Sequence, residues 1–284
     1  MERFETSVRY HAWYEHWHRY HFIKELVKGK KVGDIACGEG YGSAILASSA
    51  ESVIGVDIDE KTILAAQQKY NNIANLNYMK ANALNVGLAD NVFDVIVSFE
   101  TLEHLAEQEQ LICEFKRILK SDGVLIISTP DKEVYSTDDN LHNEYHVKEL
   151  SSVEFDDLIA LQFKFSQMFG QQFQLMSVIE NQKYAGCNLN SQHVYVKQGA
   201  EQKEVANSSK AKYLINICTN NKRSLDEFPV PNWHAFSEAN NGLFHHYEEQ
   251  IQRLLLIDKQ NHELRSIVEK QTAVINHLKA RLGF

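Results

Sequence analysis

The run Val32-Gly33-Asp34-Ile35-Ala36-Cys37-Gly38-Glu39-Gly40-Tyr41-Gly42 constrains the fold more than any other stretch. It joins a short apolar strand to a helix through a glycine-rich turn. Glycine lets backbone come close to a ligand, and the turn opens onto a helix N-terminus with unpaired N–H groups. The next strand ends in Val56-Asp57-Ile58-Asp59, so Asp57 follows Asp34 by 23 residues. That interval suits one strand–helix–strand unit and puts Asp57 where a carboxylate can accept ribose hydroxyls. The run lacks GxGxxG spacing and carries Asp34 inside the strand, which separates it from a dinucleotide fingerprint.

Around this unit, short apolar runs alternate with helical patterns from Lys31 to about Asn220, which predicts a mostly parallel sheet with helices on both faces. Strands are expected at Lys31–Ala36, Ser52–Asp57, Leu76–Met79, Phe93–Phe99 and Gly123–Ser128. Helices are expected at Tyr41–Ala50, Glu60–Tyr70 with Asp59 as N-cap, and Glu107–Leu119. Asp131–Val147 shows no period and reads as a long loop over the active face. Ser151-Ser152-Val153-Glu154 spells a capping box at the start of a further helix, whose apolar face is Phe155, Leu158, Ile159 and Phe163. Of three later strand-like runs, Phe173–Ile179, His193–Val196 and Tyr213–Cys218, the first and last are expected to form the closing antiparallel pair.

The organisation is a lead-in over 1–28, an α/β domain over 29–222, a linker over 223–244 and a helix over 245–284. In that last helix Leu254, Ile257, Asn261, Leu264, Val268, Gln271, Ile275, Leu278 and Leu282 are spaced alternately by three and four. This is a heptad seam with Asn261, Val268 and Ile275 at a and Leu264 and Leu278 at d, which points to a parallel two-stranded coiled coil. A single amphipathic helix packed on its own domain is the alternative.

A net charge of −9 argues against a surface built to grip nucleic acid. No stretch approaches the ~20 apolar residues of a membrane span. The N-terminus lacks a signal-peptide pattern, and Cys37, Cys113, Cys187 and Cys218 show no CxxC spacing, so a cytoplasmic location with reduced thiols is expected.

On the motifs around Asp34, Gly38, Gly40 and Asp57, residues 10–180 resemble the class I methyltransferases that use S-adenosylmethionine (SAM). The resemblance implies a Rossmann-like seven-stranded sheet and SAM as cofactor. It implies that Asp34, Ala36, Gly38 and Gly40 line the methionine part, that Asp57 and Ile58 hold the ribose, and that Asn82 and Ala83 face the adenine. Phe99 would pack on the cofactor. Arg19 is a candidate partner for the SAM carboxylate through its bidentate fork, or else a solvated surface residue.

Glu100, Glu103 and His104 follow an i, i+3, i+4 spacing after the fourth strand and can face one point. His142 and His146 come much later, just ahead of the Ser151 helix. This ExxEH with a distal histidine is similar to the metal quartet of small-RNA 2′-O-methyltransferases. The similarity implies Mg²⁺ or Mn²⁺ on Glu100, Glu103, His104 and His146. Two other readings stand: His104 or His146 as a metal-free general base assisted by Glu100, or a purely structural cap. The cluster His11, Trp13, Tyr14, His16, Trp17, His18, Tyr20 and His21 is either an aromatic lid or a helix packed on the domain.

His18-Arg19-Tyr20, the glycine run and Asn143-Glu144-Tyr145-His146-Val147-Lys148-Glu149 together resemble bacterial methyltransferases of surface-polysaccharide and sugar modification. That resemblance implies O-methylation of a sugar hydroxyl on a glycan. The tail would then make a homodimer or tether the enzyme to a glycosyltransferase. RNA 2′-O-methylation, methylation of a quinone or other small molecule, and a catalytically silent scaffold are the competing readings.

Overall fold

The computed structural model describes residues 11–135, 143–174, 211–227, 230–231, 234–236 and 242–282. Its strands are β1 Lys31–Ile35, β2 Ser52–Asp57, β3 Leu76–Lys80, β4 Phe93–Phe99, β5 Leu119–Pro130, β6 Phe165–Gln171 and β7 Tyr213–Thr219. They form one sheet in the order β3-β2-β1-β4-β5-β7-β6. The first five run parallel, and β7 lies antiparallel between β5 and β6. The expected seven-stranded, mostly parallel sheet is what forms.

Alternation along the central strands builds two cores, one on each face. Val32, Val95, Val97, Val124, Ile126, Ile215 and Ile217 join one cluster with residues of α1 His11–Ile23, α2 Tyr41–Ala47 and α3 Glu60–Lys69. Ile35, Ile96, Leu125, Ile127, Leu214 and Cys218 join the other with α4 Gln108–Ile118 and α6 Ser152–Ala160. Strands covered on both faces have no polar side to show, which is why the centre of β4, Val95-Ile96-Val97, is apolar on both sides.

Local signals set the helix starts. Asp59 accepts the Thr62 N–H at 2.8 Å. Ser151 and Glu154 form the reciprocal capping box, at 3.3 Å and 2.8 Å. Phe155, Leu158, Ile159 and Phe163 are all buried, as their spacing predicts.

The closing pair corrects the sequence reading. The partner of β7 is Phe165–Gln171, paired from Phe165 with Thr219 to Gln171 with Tyr213. Phe173 and Gln174 lie outside it, and 175–179 and His193–Val196 fall outside the described residues. As an edge strand, β6 is mostly half-buried or exposed, so burial imposes little apolar pattern on it. The fifth strand also runs longer than Gly123–Ser128, with a register irregularity between Phe93 and Val95. A short helix, α5 Lys132–Tyr135, follows it where a loop is expected.

By its contacts the chain divides into two compact units, residues 12–235 and a second made mainly of 236–284. The first ends with the short helix α7 Lys222–Asp226, inside the span read as linker. The second consists, in its described part, of the long helix α8 Gly242–Leu282. No helix among the described residues is long and apolar enough to cross a membrane.

Candidate functional site

In this strand order the chain winds one way from β1 to β2 and the other way from β4 to β5, and a crevice opens above the carboxyl ends of β1 and β4. Two non-glycine residues with left-handed backbone stand there, Ala36 after β1 (φ 63°) and Glu100 after β4 (φ 53°). Such backbone costs of order 1–3 kcal/mol and gathers at functional sites. Both residues line a cavity of about 220 Å³ whose wall also includes Gly38, Asp57, Ile58, Asn82, Ala83, Phe99 and His104.

Asp57 ends β2 with its carboxylate held by two backbone donors, Gly38 N–H at 3.0 Å and Asp59 N–H at 2.9 Å. The turn Gly38 (φ 53°) therefore ties the end of β1 to the end of β2 across the cavity floor. Asn82 uses its side-chain oxygen to accept the Leu84 N–H at 2.9 Å, leaving its second lone pair and its amide donors for a ligand.

Three of the expected cofactor residues stand behind the wall. Asp34 is buried below it, accepting from Ser43 Oγ at 2.6 Å and Tyr20 OH at 3.2 Å. Burial raises its pKa to about 6, against the lowering effect of those two hydrogen bonds. Gly40 (φ 75°) packs under the Tyr78 ring, where a Cβ would come within 2.6 Å, and its carbonyl accepts the Tyr78 hydroxyl at 2.6 Å. Arg19 is 1% exposed rather than solvated, with Nη1 paired to Glu100 at 2.7 Å, a weaker contact to Ser128 Oγ at 3.4 Å, and its guanidinium over the Tyr213 ring.

Helix α1 lies against the cavity. His16 and Tyr20 line it, and Tyr20 meets Phe99 edge-on at 5.1 Å. Trp13, Trp17 and Tyr41 stack in series, with centroids 4.8 Å and 6.0 Å apart. His16 titrates well below the usual histidine range, because burial and the Arg19 charge both disfavour its cation. His18 contacts His234 at 2.8 Å, outside the cavity wall.

The structure brings Glu103, His104 and His146 together, one ligand atom from each lying within 4.8 Å of the others. Glu103 is fully buried, accepts from Thr129 Oγ1 at 3.2 Å and has its carboxyl pushed well up by burial and by the Glu100 charge. His104 Nδ1 faces the Tyr145 carbonyl at 3.0 Å, and a carbonyl only accepts, so Nδ1 carries the proton and Nε2 is left free. His146 Nδ1 is held by Glu149 at 2.5 Å. Glu100 stands apart from this trio, committed to Arg19 and, at 2.6 Å, to the Ser128 hydroxyl. His142 lies outside the described residues.

Ser43, Ser128 and Thr129 also serve the site and carry no motif of their own, whereas Tyr145 and Glu149 stand in the Asn143–Glu149 run without being singled out there. Ser128, Thr129 and Tyr145 act through contacts between distant segments, and only the Ser-Thr pair at the carboxyl end of β5 stands at a position that the strand order marks for ligands.

The sheet, with five parallel strands and an antiparallel closing pair in the order β3-β2-β1-β4-β5-β7-β6, is the Rossmann-like methyltransferase fold. Residues 33–127 match the family model described as Methyltransferase domain. A Mycolicibacterium smegmatis protein named "Probable S-adenosylmethionine-dependent methyltransferase" is 33% identical over 141 residues, covering 49% of this chain and 54% of the relative. A ubiquinone biosynthesis O-methyltransferase of Glaesserella parasuis is 34% identical over 110 residues, covering 36% and 45%. The chain spans about half the length of the curated relatives it matches. Among solved structures, a chain of the complex between the Haloferax volcanii Trm112 methyltransferase activator and a candidate methyltransferase shares the fold. Its TM-score is 0.52 at 14% identity, over 72% of this chain and 91% of that one.

Proposed function

We propose that this protein transfers a methyl group from SAM to a hydroxyl oxygen, the acceptor being a sugar of a glycan. The observation that carries the reading is His104, which stands on the wall of the cofactor cavity with Nδ1–H fixed on the Tyr145 carbonyl and Nε2 free. Bound SAM supplies an electrophilic methyl carbon. The residues fit it: Asp57 offers carboxylate oxygens at the ribose position, Gly38 lets the backbone close in, and Phe99 and Ile58 give apolar surface.

The chain's own task is then to move one proton. A hydroxyl that gains a methyl group must lose its hydrogen, and His104 Nε2 is the base placed to take it. Glu103 Oε1, 3.9 Å from that nitrogen, gives the resulting imidazolium a carboxyl neighbour. Glu103, His104 and His146 would also hold Mg²⁺ or Mn²⁺. Both imidazoles have their Nδ1 engaged by an acceptor, as metal-bound histidines do, and such a cation would lower the pKa of a coordinated hydroxyl. Glu100 has no part in that set.

A sugar acceptor is supported by the stacked Trp13, Trp17 and Tyr41, with Tyr41 on the cavity wall, where an aromatic ring can meet a sugar ring. An aromatic hydroxyl is the second reading, favoured by the Glaesserella parasuis relative.

The test is SAM-dependent methyl transfer to a panel of bacterial glycans, vicinal diols and quinols, with and without EDTA. Methylated sugar that disappears in His104→Asn, with unchanged SAM affinity, supports the reading. Methylation of quinols alone moves the acceptor to the second reading, and methylation on carbon or nitrogen overturns it. Loss of turnover in EDTA, restored by Mg²⁺ or Mn²⁺, assigns the trio to a cation; indifference to EDTA leaves His104 as a metal-free base.

A further inference from the structure

Helix α8 presents a long apolar stripe that no described residue of its own compact unit covers. Leu254, Ile257, Leu264, Ile267, Val268, Val274, Ile275 and Leu278 are each between 45% and 64% exposed. Seven of the eight, Val274 aside, enter the layers drawn below. From Leu254 to Leu278 the stripe runs about 36 Å at 1.5 Å per residue. Ile267 and Val274 fall at g of the heptad, so the stripe is wider than the a and d positions alone. In a parallel pair these two residues would face Thr272 and Lys279 of the other helix, and the second polar seam residue, Gln271, would face only itself.

Reversing the second helix resolves this pattern. With the dyad beside Ser266, Leu254 meets Leu278, Ile257 meets Ile275 and Leu264 meets Val268, while Asn261 meets Gln271. Each apolar layer between Leu254 and Leu278 is then matched with an apolar layer, and the two polar seam residues share layers in which two amides can hydrogen-bond. Ile267 packs against its own copy across the dyad. At roughly 60–120 Å² per apolar side chain, the seven residues in these layers bury roughly 400–850 Å² per helix. A stable interface needs about 800 Å² per partner.

We infer that α8 is the docking surface for a second copy of this chain, joined as an antiparallel helix pair centred on Ser266. The two-fold axis makes the interface self-complementary, each layer occurring twice. The arrangement sets Arg265 near its own copy, so moderate salt, which screens that repulsion, strengthens the pair.

Cysteine trapping on the full chain, with Cys113→Ser to remove the thiol exposed among the described residues and Cys187→Ser to remove the one outside them, tests both the occupant and its direction. Asn261→Cys and Gln271→Cys variants are oxidised separately and as an equal mixture that has been unfolded and refolded together. The antiparallel pair gives crosslinked dimer in the mixture and little in either variant alone. Crosslinking of each variant with itself, with none between them, overturns the antiparallel register in favour of the parallel one. A monomeric mass in sedimentation at tens of micromolar overturns the second copy as occupant. Leu264→Glu is the companion variant: it makes the chain monomeric while its cofactor affinity stays unchanged.

Discussion

A carboxylate as deeply buried as Asp34 must be compensated by donors or give up its charge, and here both happen in part. Ser43 and Tyr20 each donate to it, yet burial still lifts its pKa from 3.8 to about 6. Because the folded pKa lies above the unfolded one, protonated Asp34 favours the native state. That contribution is complete below about pH 4 and is lost as pH rises through about 6. A rise of that size on a fully buried group corresponds to about 3 kcal/mol. Urea unfolding at pH 4, 5, 6 and 7 checks this: Asp34→Asn flattens the decline that the wild type shows over that range. Asp57 is different, since backbone N–H groups hold both its oxygens at the cavity. Asp57→Ala removes the proposed ribose acceptor, and SAM binding is expected to become undetectable by calorimetry; near-normal affinity would displace the cofactor from this cavity.

Among elements, α1 is the one whose placement the sequence hides. Its aromatic and histidine residues announce a helix with a crowded surface, but not that Arg19 turns inward to Glu100 or that Tyr20 reaches Asp34. The explanation lies in Gly42, on the next helix. A Cβ there would run into the Tyr20 ring, so only glycine lets α1 settle onto α2. Gly42→Ala is therefore expected to cost about 1–3 kcal/mol through overpacking and to weaken SAM binding, because Tyr20 also lines the cavity. Thermal unfolding with and without SAM separates the two effects. The strands β1, β2 and β4 could be read almost to the residue, since burial on both faces leaves apolar residues at most positions between their polar ends and the glycine turn. The edge strand β6 could not, because it is hardly buried. Likewise the ExxEH spacing brought Glu103 and His104 to His146, whereas the diversion of Glu100 to Arg19 depends on a contact between residues 81 positions apart.

At the scale of the whole molecule, the sheet, both cores and the cofactor cavity all belong to the unit of residues 12–235, and α8 belongs to the other. Among the described residues, none of the cavity wall comes from beyond Leu105. Deleting 242–284 should therefore leave the SAM site whole. A ligand that binds only the native state raises its melting temperature by an amount set by concentration and affinity, about 2.7 kcal/mol of stabilisation at a hundred times Kd. The truncated chain is expected to show the same SAM-induced rise as the full chain, while light scattering reports a monomer in place of a dimer. An equal rise with an unchanged mass would remove α8 from assembly and leave the cofactor site standing. A lost rise with a halved mass would mean instead that pairing supports the cavity, and that methyl transfer depends on a second copy.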